Sequence, residues 1–180
     1  DVDADLVYVG YGIDPSTQRW NDYKGDIDYK GKILVMLVND PPATSAEPDL
    51  FGGKGLTYFG GWTYKYEEAA GRGAAGAILL HTDESAGYGW NVIRTSNGSW
   101  RFHIERIAGD STPFLQFRSW MTDDSARRMM KLAGQDLDAL RAKAATREFQ
   151  PVSLGLKGKL NLKSEVKHVA APNVVGVIEG

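Results

Sequence analysis

Two uninterrupted apolar runs of strand length, residues 32–38 and 76–82, do most to limit what this chain can fold into. Both read as buried strands. A third strand is expected over residues 6–13, a stretch rich in Val and Tyr that closes on Gly12 ahead of the Asp14-Pro15 turn signal. With 180 residues, 42% hydrophobic and 24% charged, the chain suits one globular domain with a sizeable core and excludes disorder.

The segments between these runs are polar or helical. Residues 20–31 read as a loop or a loosely paired hairpin, and 39–55 as a long surface excursion dense in Pro, Gly, Ser and Asp. Thr63 is expected to cap a short helix through about Arg72, with Glu67 and Glu68 in its early turns and Gly73 at its end. Residues 83–101, broken by Gly87, Gly89 and Gly98, are expected to sustain no regular element and to form a second long loop. Both long loops are candidates for mobility and function.

Residues 113–117 read as a short strand. Thr122 caps a helix that aligns Ala126, Met129, Met130 and Ala133 and stops at Gly134, and Asp136 starts another with Leu137, Leu140 and Ala144 on one side. From Val152, the residues Leu154, Leu156, Leu160, Leu162 and Val166 alternate with polar ones, the pattern of a half-buried strand or hairpin with its lysines in water. Residues 173–180 have the form of a buried strand, which suggests that the natural chain continues.

Most chemistry is excluded by what the sequence lacks. A net charge of −2 and a pI near 5.9 give no support to a nucleic-acid or anionic-membrane partner, leaving small molecules, peptides or proteins. Without cysteine there is no disulfide, reactive thiol or thiolate metal site. No apolar run approaches the roughly 20 residues of a membrane span. The opening Asp1-Val2-Asp3-Ala4-Asp5 lacks the basic and apolar regions of a signal peptide, so the chain is either cytosolic or a trimmed piece.

His81, His103 and His168 lie in three different segments, with no His-Glu-x-x-His or His-x-Asp pattern, so a zinc site here would lack ligands. His81 closes a buried strand and suits an anchoring role better than metal binding. The calcium-loop spacing of Asp1, Asp3 and Asp5 fails at Leu6 and Gly12, where glycine and glutamate are needed. Gly10-x-Gly12 lacks the third glycine of a dinucleotide fingerprint, and neither a phosphate-binding loop nor a Gly-x-Ser-x-Gly elbow occurs. Asn97-Gly98-Ser99 is a formal glycosylation acceptor.

What stands out is aromatic density beside glycines. Tyr58, Phe59 and Tyr66 suit the core, whereas Trp62, Tyr64, Tyr88 and Trp90 suit an exposed contact surface, with Asn91 and Arg94 next to them as further substrate or partner contacts.

Residues 58–90, YFGGWTYKYEEAAGRGAAGAILLHTDESAGYGW, resemble the central segment of the protease-associated domain of bacterial zinc aminopeptidases of the glutamate-carboxypeptidase and transferrin-receptor type, metallopeptidase clan MH. LVYVGYGI, KGKILVMLVNDPP and PNVVGVIEG are similar to the segments that enter and leave that domain. One departure is Gly61 before Trp62, where many relatives carry arginine.

The resemblance implies a β-rich α/β fold in which two small sheets enclose the core with helices outside, as a single domain over residues 1–180. It implies a non-catalytic, extracytoplasmic lid, access or interaction module. Its partners would be its own peptidase domain and a peptide or protein substrate. Zinc would be expected only in the peptidase domain, which residues 173–180 would enter; no cofactor or catalytic residue is expected in this chain. The alternatives are a free-standing peptide- or glycan-binding module and the interaction domain of an inactive, receptor-like relative.

Overall fold

The structure, a computed structural model, describes residues 1–178. Five strands and five α-helices are formed among them: β1 (Val2–Tyr8), β2 (Ile33–Leu37), α1 (Trp62–Gly71), β3 (Gly76–His81), α2 (Asp83–Ala86), α3 (Trp90–Asn97), β4 (Phe117–Thr122), α4 (Asp123–Leu132), α5 (Leu137–Ala144) and β5 (Val152–Leu160). Short 3-10 turns add Ser16–Gln18 and Leu50–Gly52. The strands make one sheet in the order β4-β3-β2-β1-β5, parallel from β1 to β4, with β5 antiparallel to β1 at the edge.

The α/β class is therefore present, as a single sheet rather than the two small ones expected. The reason lies in β5. Lys157 and Lys159 pair with Asp5 and Asp3 across the strands at 3.3 and 3.2 Å, and Leu154 turns into the core, so β5 extends the same sheet instead of starting another.

Alternation along β2 sorts the interior into two layers. Ile33, Val35 and Leu37 join Ala126, Met130, Leu137 and Leu140 on the α4–α5 side, while Leu34 and Met36 join Tyr66, Ala69 and Ala70 on the α1 side. A strand apolar at every position is what such double cover requires. A third cluster, Ile13, Trp20, Leu50 and Phe51, packs the segment after β1 against the 39–55 excursion.

Thr122 and Asp136 cap α4 and α5 as expected, accepting from the backbone N–H of Ser125 and Ala139. Other boundaries differ. β1 begins and ends earlier than residues 6–13, because Gly10 and Gly12 take positive φ and turn the chain away; a side chain at Gly12 would also collide with Met36. β4 starts at Phe117, where the expected 113–117 strand ends. The N-cap of α1 is Gly61, two residues ahead of the expected Thr63, which lies inside the helix.

Residues 83–101 are not a loop throughout. Thr82 and Ser85 form a reciprocal capping box that starts α2, and α3 fits between Gly89 and Gly98, so the glycines bound helices rather than prevent them. The period-two strand stops at Leu160, leaving Leu162 and Val166 exposed. Residues 173–178 are exposed and form no strand, since no neighbouring strand edge receives them; the last two residues of that expected element lie outside the described residues.

Candidate functional site

The aromatic residues singled out by sequence separate into three places. Trp62 and Tyr66 stand one turn apart on α1, with ring centroids 6.2 Å apart, and face Tyr88, Val92 and Ile93 across a groove of about 680 Å³. Its floor comes from β4, with Arg118 and Trp120. Tyr66 is buried and donates from its hydroxyl to the Ser119 carbonyl at 3.1 Å, which ties α1 to the sheet beneath the groove. Trp62, 42% exposed, is left standing at the rim.

Tyr64 is on the other face of α1. It meets Tyr58 and Phe59 edge-on at 5.4 and 5.2 Å, and its hydroxyl lies 3.4 Å from a Glu68 carboxylate oxygen. Arg72 spans Glu68 and Asp14 at 2.7 and 2.8 Å and stacks on Tyr23, so the one guanidinium there is already engaged by two carboxylates. Phe59 and Tyr66 are in or against the core as expected, but Tyr58 is 64% exposed.

Trp90 does not line the groove. It packs on His81, whose ring lies 5.7, 5.5 and 6.2 Å from those of Tyr88, Trp90 and Trp120. His81 is buried, with Nδ1 3.8 Å from Asp83 and Nε2 without a hydrogen-bond partner. It therefore works as the packing post that seats α2 and α3 at the end of β3. Asn91 and Arg94 are exposed on α3 and do not line the groove. Sequence reading missed Arg118 and Trp120, which no local pattern connects with Trp62; only the parallel pairing of β4 with β3 brings them there.

A second recess, about 590 Å³, opens where β2 and β3 end, between Leu37, Leu80 and the polar residues Asp123, Arg127 and Arg141. Carboxyl ends of parallel strands often bind ligands where the strand order reverses. Here β1 to β4 run in unbroken order, and the cations are already engaged. Arg127 grips Asp138 through two bonds of 2.8 Å and Asp123 at 2.7 Å, and Arg141 takes Asp123 at 2.5 Å. The arrangement clamps α4 to α5.

Three ionisable groups are buried near that end. Lys65 donates to the carbonyls of Tyr11 and Asn39 at 2.6 and 3.0 Å, and burial pushes its amine down to about 8 against the pull of Asp22 and Asp40. Asp22 accepts from Trp20 Nε1 and the Ile13 N–H at 2.8 and 3.2 Å, yet burial raises its carboxyl to about 6. Asp40 accepts from both the backbone and the hydroxyl of Thr57 at 2.7 and 2.9 Å, and burial raises it as well. All three hold loops together, and Lys65 is sealed from any reactant.

No three or more His, Asp or Glu side chains are grouped to hold a metal ion among the described residues. No helix among them is long and apolar enough to cross a membrane. Comparison with protein-family models, curated proteins and solved structures found nothing that matches the chain.

Proposed function

We propose that this chain is a non-catalytic peptide-contact module of the protease-associated kind, acting as lid or substrate wall for an extracytoplasmic zinc aminopeptidase-like parent. The observation that carries the reading is the groove between α1, α3 and β4, where Trp62 and Tyr88 flank Trp120. Concave, aromatic-walled sites of this size receive ligand side chains. The resemblance over residues 58–90 supplies the link to a peptidase, and the groove's two helical walls are built from that same stretch and its continuation. The zinc of such a parent would belong to its peptidase domain. The groove is formed entirely within this chain, which favours as second reading a module that binds peptides without a peptidase attached.

Reading the coding sequence beyond Gly180 separates the two. Continuation into a peptidase segment with a His-x-Asp motif supports the enzyme parent, substituted ligands support a receptor-like protein, and no peptidase segment leaves the free binding module.

A further inference from the structure

The groove beside Trp62 carries a charge pattern that its aromatic walls do not explain. Arg101 and Arg118 line it beside His103, and no carboxylate does. This contrasts with the chain as a whole, which has 23 acidic and 21 basic residues, and with the other recess, where each arginine is matched by an aspartate. None of the three has a carboxylate within ion-pair distance among the described residues.

The two guanidinium groups are nevertheless placed. Arg101 donates to the carbonyl of Ser96 at 2.7 Å and to Asn97 Oδ1 at 2.8 Å, both at the end of α3. Arg118 lies over the Tyr66 ring, 5.9 Å from its centroid. Both act on the Tyr66 phenol, pulling its proton affinity down against the larger upward push of burial, so the charge of Arg118 on β4 and of Arg101 beyond α3 is felt at the same buried ring beneath the groove. A guanidinium held by neutral acceptors keeps its full charge for an incoming anion and loses little freedom on binding it.

The geometry points to a groove that selects acidic peptides: an extended segment that sets an aromatic or aliphatic side chain between Trp62 and Tyr88 and a neighbouring carboxylate between Arg101 and Arg118. This rests on the reading of the groove as a peptide site and adds the class of peptide. A polyanion such as nucleic acid would gain from the same two arginines but would meet the net negative charge of the remaining surface.

Fluorescence anisotropy of the 180-residue chain with three labelled hexapeptides tests it: Gly-Asp-Phe-Glu-Leu-Gly, its Asn/Gln counterpart, and its Lys counterpart. The acidic peptide is expected to bind about tenfold more tightly than the neutral one, the ratio for one charge-assisted contact, and to weaken with added salt. Arg101→Gln with Arg118→Gln, both at exposed positions, should bring the ratio close to one while the neutral peptide still binds; Lys131→Gln on α4 should change nothing. If the neutral peptide binds, is lost in Trp62→Ala, and is matched by the acidic one, the charge selection is wrong and the peptide site stands. If no peptide binds, both fail, and tighter binding of the Lys peptide or of a single-stranded oligonucleotide overturns the proposal.

Discussion

Lys65 donates from its buried ammonium to the Asn39 carbonyl at 3.0 Å, fastening α1 to the chain as it leaves β2. Asn39 holds a positive φ of 76°, rare for a residue with a side chain, and its own carboxamide oxygen accepts from the Asp40 N–H. Lys65→Met would leave the carbonyls of Tyr11 and Asn39 without their donor in a buried site. Relief of the desolvated charge offsets part of the loss, and a net destabilisation of about 1 to 3 kcal/mol is expected from the unfilled acceptors. Urea denaturation reads it directly, and an unchanged midpoint would show that water replaces the amine at no cost.

Asp22 gives a pH dependence with a definite sign. Its folded carboxyl is raised from 3.8 to about 6, so the folded state holds the proton more tightly. The corresponding stability is fully present below pH 3.8 and is lost as the pH rises through about 6. Lys65, lowered from 10.5 to about 8, acts the other way on the alkaline side, where stability rises between those values. The difference in unfolding free energy between the wild type and Asp22→Asn should therefore shift against the wild type from pH 4 through pH 6 and level off about one pH unit above that. A flat difference across the acid range would mean that Asp22 is ionised with its ordinary affinity.

Gly76 sits where β3 passes beneath Phe117, and a methyl group there would overlap the Phe117 ring. Gly76→Ala is expected to cost about 1 to 3 kcal/mol through displacement of the ring. The Phe117 ring packs with Ile33, Ala126 and Met130 on the face of the sheet away from Trp62, so the same variant should lose stability and keep its peptide binding when folded. Thermal unfolding and anisotropy together check this; weakened binding in the folded variant would show that the displaced ring distorts the groove.

Residues 99–114 have no regular structure and expose Phe102, Ile104 and Ile107, at 84%, 98% and 79%. Limited trypsinolysis should cut first after Arg101 or Arg106, or after Lys163 or Lys167 in the similarly exposed stretch beyond β5. Arg141, clamped to Asp123, should resist. Early cleavage within α4 or α5 would contradict this ranking.

Strands β2 and β3 were legible because their apolar runs are both local and continuous, and the helices after Thr122 and Asp136 because each carries a cap and a periodic face. β1 was displaced because its acidic half, Asp3 and Asp5, is satisfied by lysines at 157 and 159, a pairing that no local window contains. For the site, the rings on α1 and α3 were visible, but spacing did not reveal that Trp62 and Tyr64 diverge around a helix or that Trp90 packs on His81. The groove's floor and both arginines come from segments whose meeting depends on strand order.

The central claim, that the groove at Trp62 contacts substrate on behalf of a peptidase, is tested most directly by the length dependence of Trp62→Ala in the proposed peptidase parent. Trp62 is partly exposed, so the domain should keep its melting transition. An aromatic anchor contributes on the order of 1 to 3 kcal/mol, so kcat/KM for a peptide long enough to reach the groove should fall about tenfold or more, while a single-residue chromogenic substrate should be cleaved as by the wild type. Equal losses for both substrates, or no loss for either, in a variant that melts normally would contradict the claim.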